Sequence, residues 1–347
     1  MAVLNVLVVN AGSTSLKLSL VDEAGTATAV DSLDAVDHAV SVVGHRVVHG
    51  GSRFVEPVVV DDDVVRELTD LAELAPLHNH PALTGIDAAR AVLPDSPHVA
   101  VFDTTFHATL PAVASTYAVP SSWRERGLRR FGFHGLSVQW AAERVPVPRL
   151  VVCHLGGGCS VTAVQNGTSV DTTMGLTPLE GVAMATRSGS VDPGLLLYLL
   201  RHGLSVGELE RGLEQESGLL GLSERSQHVH ELEAAVDAGN EQARLALTIY
   251  ARRITQAVAS MAVSLGGLDA LVFTGGVGEH SPRVRERVCA ELGFLGVRLD
   301  AEANIPLRGE GEIAAGDSTV RVRVVESRED VVIARAARRL VALAVGR

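Results

Sequence analysis

One device occurs twice in this chain, and it restricts the fold more than any other feature. An apolar, β-branched run ends on a polar residue, turns through glycine and small hydroxyl or thiol residues, and resumes as a strand. The first copy runs over residues 6–15 and ends in Asn10-Ala11-Gly12-Ser13-Thr14-Ser15; the second runs over 150–159 and ends in His154-Leu155-Gly156-Gly157-Gly158-Cys159. With strands resuming at 16–21 and 161–164, each copy reads as a tight hairpin. Such turns expose backbone N–H groups to an anion. Glycine admits positive φ there and lets an oxyanion approach without meeting a Cβ. Two copies predict two lobes around one phosphate chain.

The length agrees: 347 residues suit two domains, each with its own core, and make the cleft between them the expected site. A net charge of −11, with both signs interspersed, excludes the polyanion attraction of a nonspecific nucleic-acid binder. A phosphate site must then be a local concentration of arginine and backbone dipoles. The three cysteines, Cys153, Cys159 and Cys289, lack metal-site spacing and form an odd set, and residues 1–9 carry no basic leader, which predicts a reducing, cytoplasmic compartment. No apolar run reaches the roughly 18 residues of a membrane span.

Along the chain, a strand over 42–51 closes on Gly50-Gly51, and Asp61 to Asp63 start a helix by capping its N–H groups and complementing its dipole. Pro76 is expected to end it, leaving 77–81 as a loop before a second helix over 82–93. A strand over 98–102 puts Asp103 at its C-terminal end, where open α/β sheets keep their ligands. A basic, glycine-punctuated loop over 124–135 leads to a helix, and Pro146 and Pro148 mark a boundary. Residues 171–193 read as functional loop. The helix over 241–265 is the longest, its Leu and Ala stripe suiting core or a dimer interface. Residues 268–279 repeat the strand-to-glycine pattern, here opening a helix. A strand over 320–325 and a helix over 328–345 close the chain, the helix packing back on the first lobe.

Each candidate has an ordinary reading. A Gly-Ser-x-Ser turn is usually only a turn, but its repetition favours phosphate at Ser13 and Ser15. Arg46 lies among apolar β-branched neighbours, where an unpaired charge is expensive, and this favours a site role. Asp103 could simply cap a helix, and Glu329 could be an ordinary first-turn glutamate. His78-x-His80 and His228-x-His230 invite a zinc reading, yet no cysteine or carboxylate completes either set. His154 reads as a strand-end histidine shaping the phosphate turn.

Taken together, Asn10-x-Gly12-Ser13-x-Ser15-x-Lys17, residues 44–51, Val101-Phe102-Asp103-Thr104-Thr105-Phe106-His107, Phe133-His134-Gly135, Pro178-Leu179-Glu180-Gly181, Thr186-Arg187-Ser188-Gly189 and residues 275–279 form a series in this order. That series resembles the acetate kinases of the acetate/butyrate kinase family. The resemblance implies an α/β fold of two duplicated ribonuclease-H-like lobes, as in actin-like ATPases, with a central interdomain cleft. The first lobe would hold 1–147 and 331–347, the second 148–330. It also implies ATP and ADP as co-substrates, acetate or another short-chain carboxylate as acceptor, magnesium or manganese, and a homodimer.

By the same resemblance, Arg46 and Arg187 orient the carboxylate and hold the transferring phosphoryl group, and His134 donates to it. Asn10, Asp103 and Glu329 stand near the metal. Ser13, Ser15, Lys17, His154, Gly156, Gly157 and Gly158 line the phosphate turns, while Gly276 and Gly278 belong to the nucleotide site. Val48, Leu77, Phe133 and Pro178 form a small apolar pocket for the acid's methyl group. An ionised carboxylate needs no general base, only alignment and charge neutralisation.

The chain departs from the family in a patterned way, with the changes at Gly157, His228, His230 and His280 touching the donor side. Gly157 replaces an asparagine, His228 and His230 replace an Asp-x-Arg pair, His280 replaces an asparagine, Ser190 replaces an aspartate, and the segment between Asn10 and Arg46 is short. Altered donor selectivity, extending to pyrophosphate, is one alternative, and a propionate- or butyrate-selective kinase is another. A nucleotide-dependent conformational module or a pseudo-kinase is the non-enzymatic alternative, which the retained Arg46, Arg187 and apolar pocket disfavour.

Overall fold

The computed structural model describes residues 5–11, 16–36, 40–72 and 76–345. The chain divides into two compact units, one of Met1–Ala108, Phe131–Trp140 and Arg328–Arg347, the other of Thr109–Arg130 and Ala141–Ser327.

The first unit is built on a mixed sheet of β1 (Asn5–Ala11), β2 (Leu16–Val21), β3 (Ala27–Val30), β4 (Val40–Val47), β5 (Val58–Val59) and β6 (His98–Phe102). The spatial order is β3-β2-β1-β4-β6-β5. Strands β1, β2 and β3 form an antiparallel meander, β4 and β6 run parallel to β1, and the short β5 pairs antiparallel with β6. The second unit contains β7 (Arg149–Leu155), β8 (Cys159–Gln165), β9 (Thr168–Thr172), β10 (Ala270–Thr274), β11 (Gly311–Glu312) and β12 (Arg321–Val324). Its order, read as β9-β8-β7-β10-β12-β11, reproduces the first sheet strand for strand, including the directions and the short antiparallel edge. The duplicated ribonuclease-H-like topology is therefore explicit in the pairing, not only in the turns.

Alternation assigns the two faces of the first sheet. Val6, Val8, Val42, Val99 and Val101 pack against Val332, Ile333, Ala334 and Ala337 of the closing helix, Glu329–Val345. Leu7, Val9, Val43, Ala89 and Leu93 form the core on the other face, beneath the helix Pro76–Val92. The closing helix can approach closely because β4 carries Gly44, where a Cβ would lie 2.7 Å from Ile333 Cγ2.

Two boundaries differ from those expected. The Pro76–Val92 helix begins at Pro76 and contains Pro81, where a loop was expected over 77–81. Proline is tolerated as a first helical residue, and Pro81 is close enough to the start to forfeit only one bond to the opening turn. Tertiary contact fixes the segment: the buried Asn79 amide accepts from the His49 N–H and donates to the His49 carbonyl, both at 3.1 Å. Residues 109–130 group with the second unit because Arg130 donates to the Thr173 and Met174 carbonyls at 2.8 and 2.9 Å and pairs with Glu180 at 2.6 Å. The chain rejoins the second unit at Ala141, before the two prolines.

Candidate active site

In the first unit, the apolar rows beneath the closing helix end in polar residues at the C-terminal ends of the parallel strands. Asn10 ends the row of Val6 and Val8, Arg46 that of Val42 and Gly44, and Asp103 that of Val99 and Val101. The Arg46 Nε and Nη2 atoms donate to the two Asp103 oxygens at 2.9 and 2.6 Å, a bidentate pair. Its Nη1 donates to Asn10 Oδ1 at 3.2 Å and lies 3.3 Å from Glu329 Oε2. Glu329, in the first turn of the closing helix, also accepts from Asn10 Nδ2 at 3.3 Å and from the Ser137 hydroxyl at 2.9 Å. Glu329 is a first-turn glutamate, as its ordinary reading has it, and both it and Asp103 also engage Arg46.

Burial disfavours the charged guanidinium of Arg46, but Asp103 and Glu329 outweigh it and hold Arg46 above the ordinary arginine range. Burial pushes the Asp103 carboxyl upward, and Arg46 offsets only part of that rise. Asn10, Asp103 and Glu329 present hard oxygen donors, and each oxygen bonded to Arg46 retains a second lone pair. Two carboxylates and an amide oxygen suit magnesium, which usually takes its remaining ligands from water and substrate phosphates.

His134 follows Phe133 and is held in a left-handed conformation, with φ of 59°. That is costly for a residue with a Cβ, so surrounding contacts must impose it. Gly132 turns the chain before it with φ of 78°. After it, the Gly135 N–H donates to the Asp103 carbonyl at 2.8 Å, and a Cβ on Gly135 would lie only 2.2 Å from that oxygen. Buried His107 hydrogen-bonds the Phe133 carbonyl through Nε2 at 2.9 Å; burial lowers its pKa to about 4, so the neutral ring donates. Phe133 and Phe131 meet the His49 ring edge-on, with centroids 5.2 and 4.7 Å away. Val48 and Phe133 are buried. Leu77 is placed only as a residue of the Pro76–Val92 helix.

Ser13 and Ser15 lie outside the described residues. Lys17 is exposed on β2, directly opposite Asn10. It is also the only lysine in the chain against 29 arginines, a compositional signal that sequence reasoning missed.

In the second unit, Arg187 is largely buried, and its Nη1 donates to the Pro178 carbonyl at 2.7 Å. Burial lowers its pKa, a shift that Cys159 and Glu214 oppose. Among the described residues no carboxylate lies within ion-pair distance of it, in contrast to Arg46. Residues 173–190 carry both Pro178 and Arg187 and are braced by a network that sequence reasoning also missed. Tyr117 donates to Glu180 at 2.5 Å and accepts from the Leu176 N–H at 2.8 Å, while Arg130 holds the other Glu180 oxygen. The glutamate in Pro178-Leu179-Glu180-Gly181 was the available signal. Ser190 Oγ accepts from the Gly181 N–H at 3.2 Å, closing the loop.

The second glycine turn, Gly156 to Gly158, joins β7 to β8. None of its glycines has positive φ, which corrects the expected reason for their presence. Space is what they leave: a Cβ on Gly157 would meet nothing within 4 Å, and one on Gly156 would lie 4.0 Å from the Gly276 nitrogen. Because His154 pairs with Thr274, the turn after β7 sits beside the turn after β10. Gly276 is likewise open, whereas Gly278 packs against Phe273, and Glu279 Oε1 accepts from the Gly275 and Ser327 N–H groups at 2.8 and 2.9 Å. His228, His230 and His280 are exposed, His228 as the residue before the helix Val229–Asp237.

The acetokinase family profile matches residues 29–335. The acetate kinase of Nostoc punctiforme is 48% identical over 319 residues, covering 89% of this chain and 78% of that protein. The acetate kinase of Gloeobacter violaceus is 49% identical over 306 residues, 85% of this chain and 76% of that protein. The crystal structure of Porphyromonas gingivalis acetate kinase is 34% identical with a TM-score of 0.86, covering 97% of this chain and all of that one. A propionate kinase from Francisella tularensis is 32% identical with a TM-score of 0.89, covering 97% and 99% of the two chains. With its duplicated sheets and a family match over most of its length, the chain belongs to the acetokinase family.

Proposed function

We propose that the protein catalyses reversible phosphoryl transfer from ATP to acetate, giving acetyl phosphate and ADP by direct in-line attack of the carboxylate. The observation that carries this reading is the contrast between the two arginines. Arg46 is already neutralised by Asp103 and Glu329, so it can orient an incoming group without adding net charge. Arg187 is a partly buried cation held by a carbonyl, with no carboxylate among the described residues within ion-pair distance, and a cation in that setting can take an anion. A phosphoryl group or carboxylate fits its forked donors.

The acid needs no general base, being ionised at neutral pH. In this reading Arg46 and Arg187 both hold the transferring group, His134 donates to an equatorial oxygen as charge builds, and Val48, Leu77, Phe133 and Pro178 enclose the methyl group. Lys17, Ser13 and Ser15 of the first turn and His154, Gly156, Gly157 and Gly158 of the second receive phosphate oxygens. Gly276, Gly278, His228, His230 and His280 belong to the nucleotide site. Asn10, Asp103 and Glu329 would hold magnesium or manganese, which supplies charge neutralisation to the phosphate oxygens when bound. A homodimer in the cytoplasm completes the reading.

Trapping acyl phosphate as the hydroxamate, across acetate, propionate and butyrate and with ATP, GTP or pyrophosphate as donor, tests it. The expected maximum is acetate with ATP. No acyl phosphate with any pair would leave a binding module. The open space at Gly157 and the exposed histidines favour one second reading, a donor site of altered selectivity, which turnover with pyrophosphate exceeding that with ATP would establish.

A further inference from the structure

We propose that Lys17 is acylated by the acyl phosphate the enzyme makes, and that this modification lowers the enzyme's own turnover. The inference rests on the acyl phosphate chemistry proposed above. Residues directly opposite each other in an antiparallel pair project to the same face. Lys17 pairs with Asn10, whose side chain contacts Arg46 and Glu329, so Lys17 stands on the face of the first sheet that carries the candidate site. It is exposed, and no carboxylate among the described residues lies within ion-pair distance of it.

Its competitors are few. Against this one lysine the chain has 29 arginines, which stay protonated and are poor nucleophiles, and 13 histidines, whose imidazoles form acyl adducts that water hydrolyses. All three thiols are buried, and burial raises their pKa values, which suppresses the thiolate. Lys17 is thus the only side-chain amine in the molecule.

An acyl phosphate is a mixed anhydride and transfers its acyl group to amines as well as its phosphoryl group to nucleotides. The unprotonated Lys17 amine attacks the carbonyl carbon, an N–C bond forms, and the C–O bond to phosphate breaks. Phosphate leaves with the electron pair, and the proton on nitrogen passes to water. The product is a neutral amide, so the face loses a cation that would otherwise attract phosphate oxygens. Accumulated product would in this way restrain its own synthesis.

The test incubates the full chain with acetyl phosphate alone and follows intact mass, peptide mapping and activity together. A free peptide spanning residues 14–20 serves as the unassisted reference. The expected result is one acetyl group on Lys17, formed about tenfold or more faster than in the peptide because the site holds the reagent nearby. Activity should fall in step with occupancy, and Lys17→Arg should resist that time-dependent loss. An unmodified Lys17, modification only at the peptide's rate, or full activity in fully acetylated protein would each overturn the proposal. The hydroxamate assay on untreated protein reads the phosphoryl transfer separately, so failure of that reaction is distinguishable from failure of the acylation.

Discussion

At the residue scale, two arginines of the same type occupy opposite electrostatic situations, and their removal should have opposite consequences. Arg46→Ala leaves the Asp103 carboxylate, 1% exposed, without its bidentate partner, and should destabilise the protein by about 3–5 kcal/mol in urea melts. Arg187→Ala strips away a partly buried cation that has no carboxylate within ion-pair distance among the described residues, so the urea midpoint should hardly move while turnover falls about 100- to 1,000-fold. A large stability loss in Arg187→Ala would refute that assignment. The buried histidines set a pH limit. Burial lowers His107 from 6.5 to about 4 and His45 from 6.5 to about 3, with His98 adding to the effect at His45. The unfolded chain therefore takes up protons below pH 6.5 that the folded chain refuses. Stability from these groups is complete above pH 6.5 and is lost as pH falls, by about 1.4 kcal/mol per group per pH unit, until each folded value is reached. Urea melts at pH 7, 5.5 and 4.5 should show that slope, and His107→Gln should make it shallower by one group's share.

At the element scale, the site depends on how closely the closing helix rests on β4. Gly44 and Arg46 lie on the same face of that strand, Gly44 beneath Ile333 and Arg46 beneath the helix start at Glu329. Gly44→Ala should lift the helix, cost about 1–3 kcal/mol, and weaken the Glu329 contact to Arg46. Adding Ile333→Ala removes the atom in the way, so the double variant should lose less stability than the two single changes summed. Additive losses would mean that the helix does not rest on Gly44. Several elements were readable before the structure: the Glu241–Leu265 helix matches its expected bounds, and Asp61 caps its helix by accepting from the Val64 N–H at 2.8 Å. Periodicity and caps are local signals. The start of the Pro76–Val92 helix was not readable, because what holds it is the pairing of Asn79 with His49 thirty residues earlier.

At the scale of the whole molecule, each unit has its own sheet of the same topology and its own apolar faces. Damage to one core should therefore leave the other protected. In Gly44→Ala, hydrogen exchange should accelerate in β1 and β4 while β7 and β10 keep their wild-type rates. Equal acceleration in all four strands would show a single cooperative core. The chain also carries one tryptophan in each unit, Trp140 in the first and Trp123 in the second. Trp140, beneath the Arg335 guanidinium at 5.2 Å, can report on the first unit alone in a Trp123→Phe background.

The amino-acid order alone determined the duplicated hairpins, the helix and strand types, the family, and which arginines, carboxylates and glycines to suspect, because each of these is written in local spacing and residue chemistry. Only the tertiary structure decided what those residues do to one another. That Asp103 and Glu329 pair with Arg46, that Arg187 is held by the Pro178 carbonyl, and that Glu180 braces its loop through Tyr117 and Arg130 all depend on how the chain folds in space. Charge and hydrogen bonding act through space, and their partners are chosen when strands pair and helices dock.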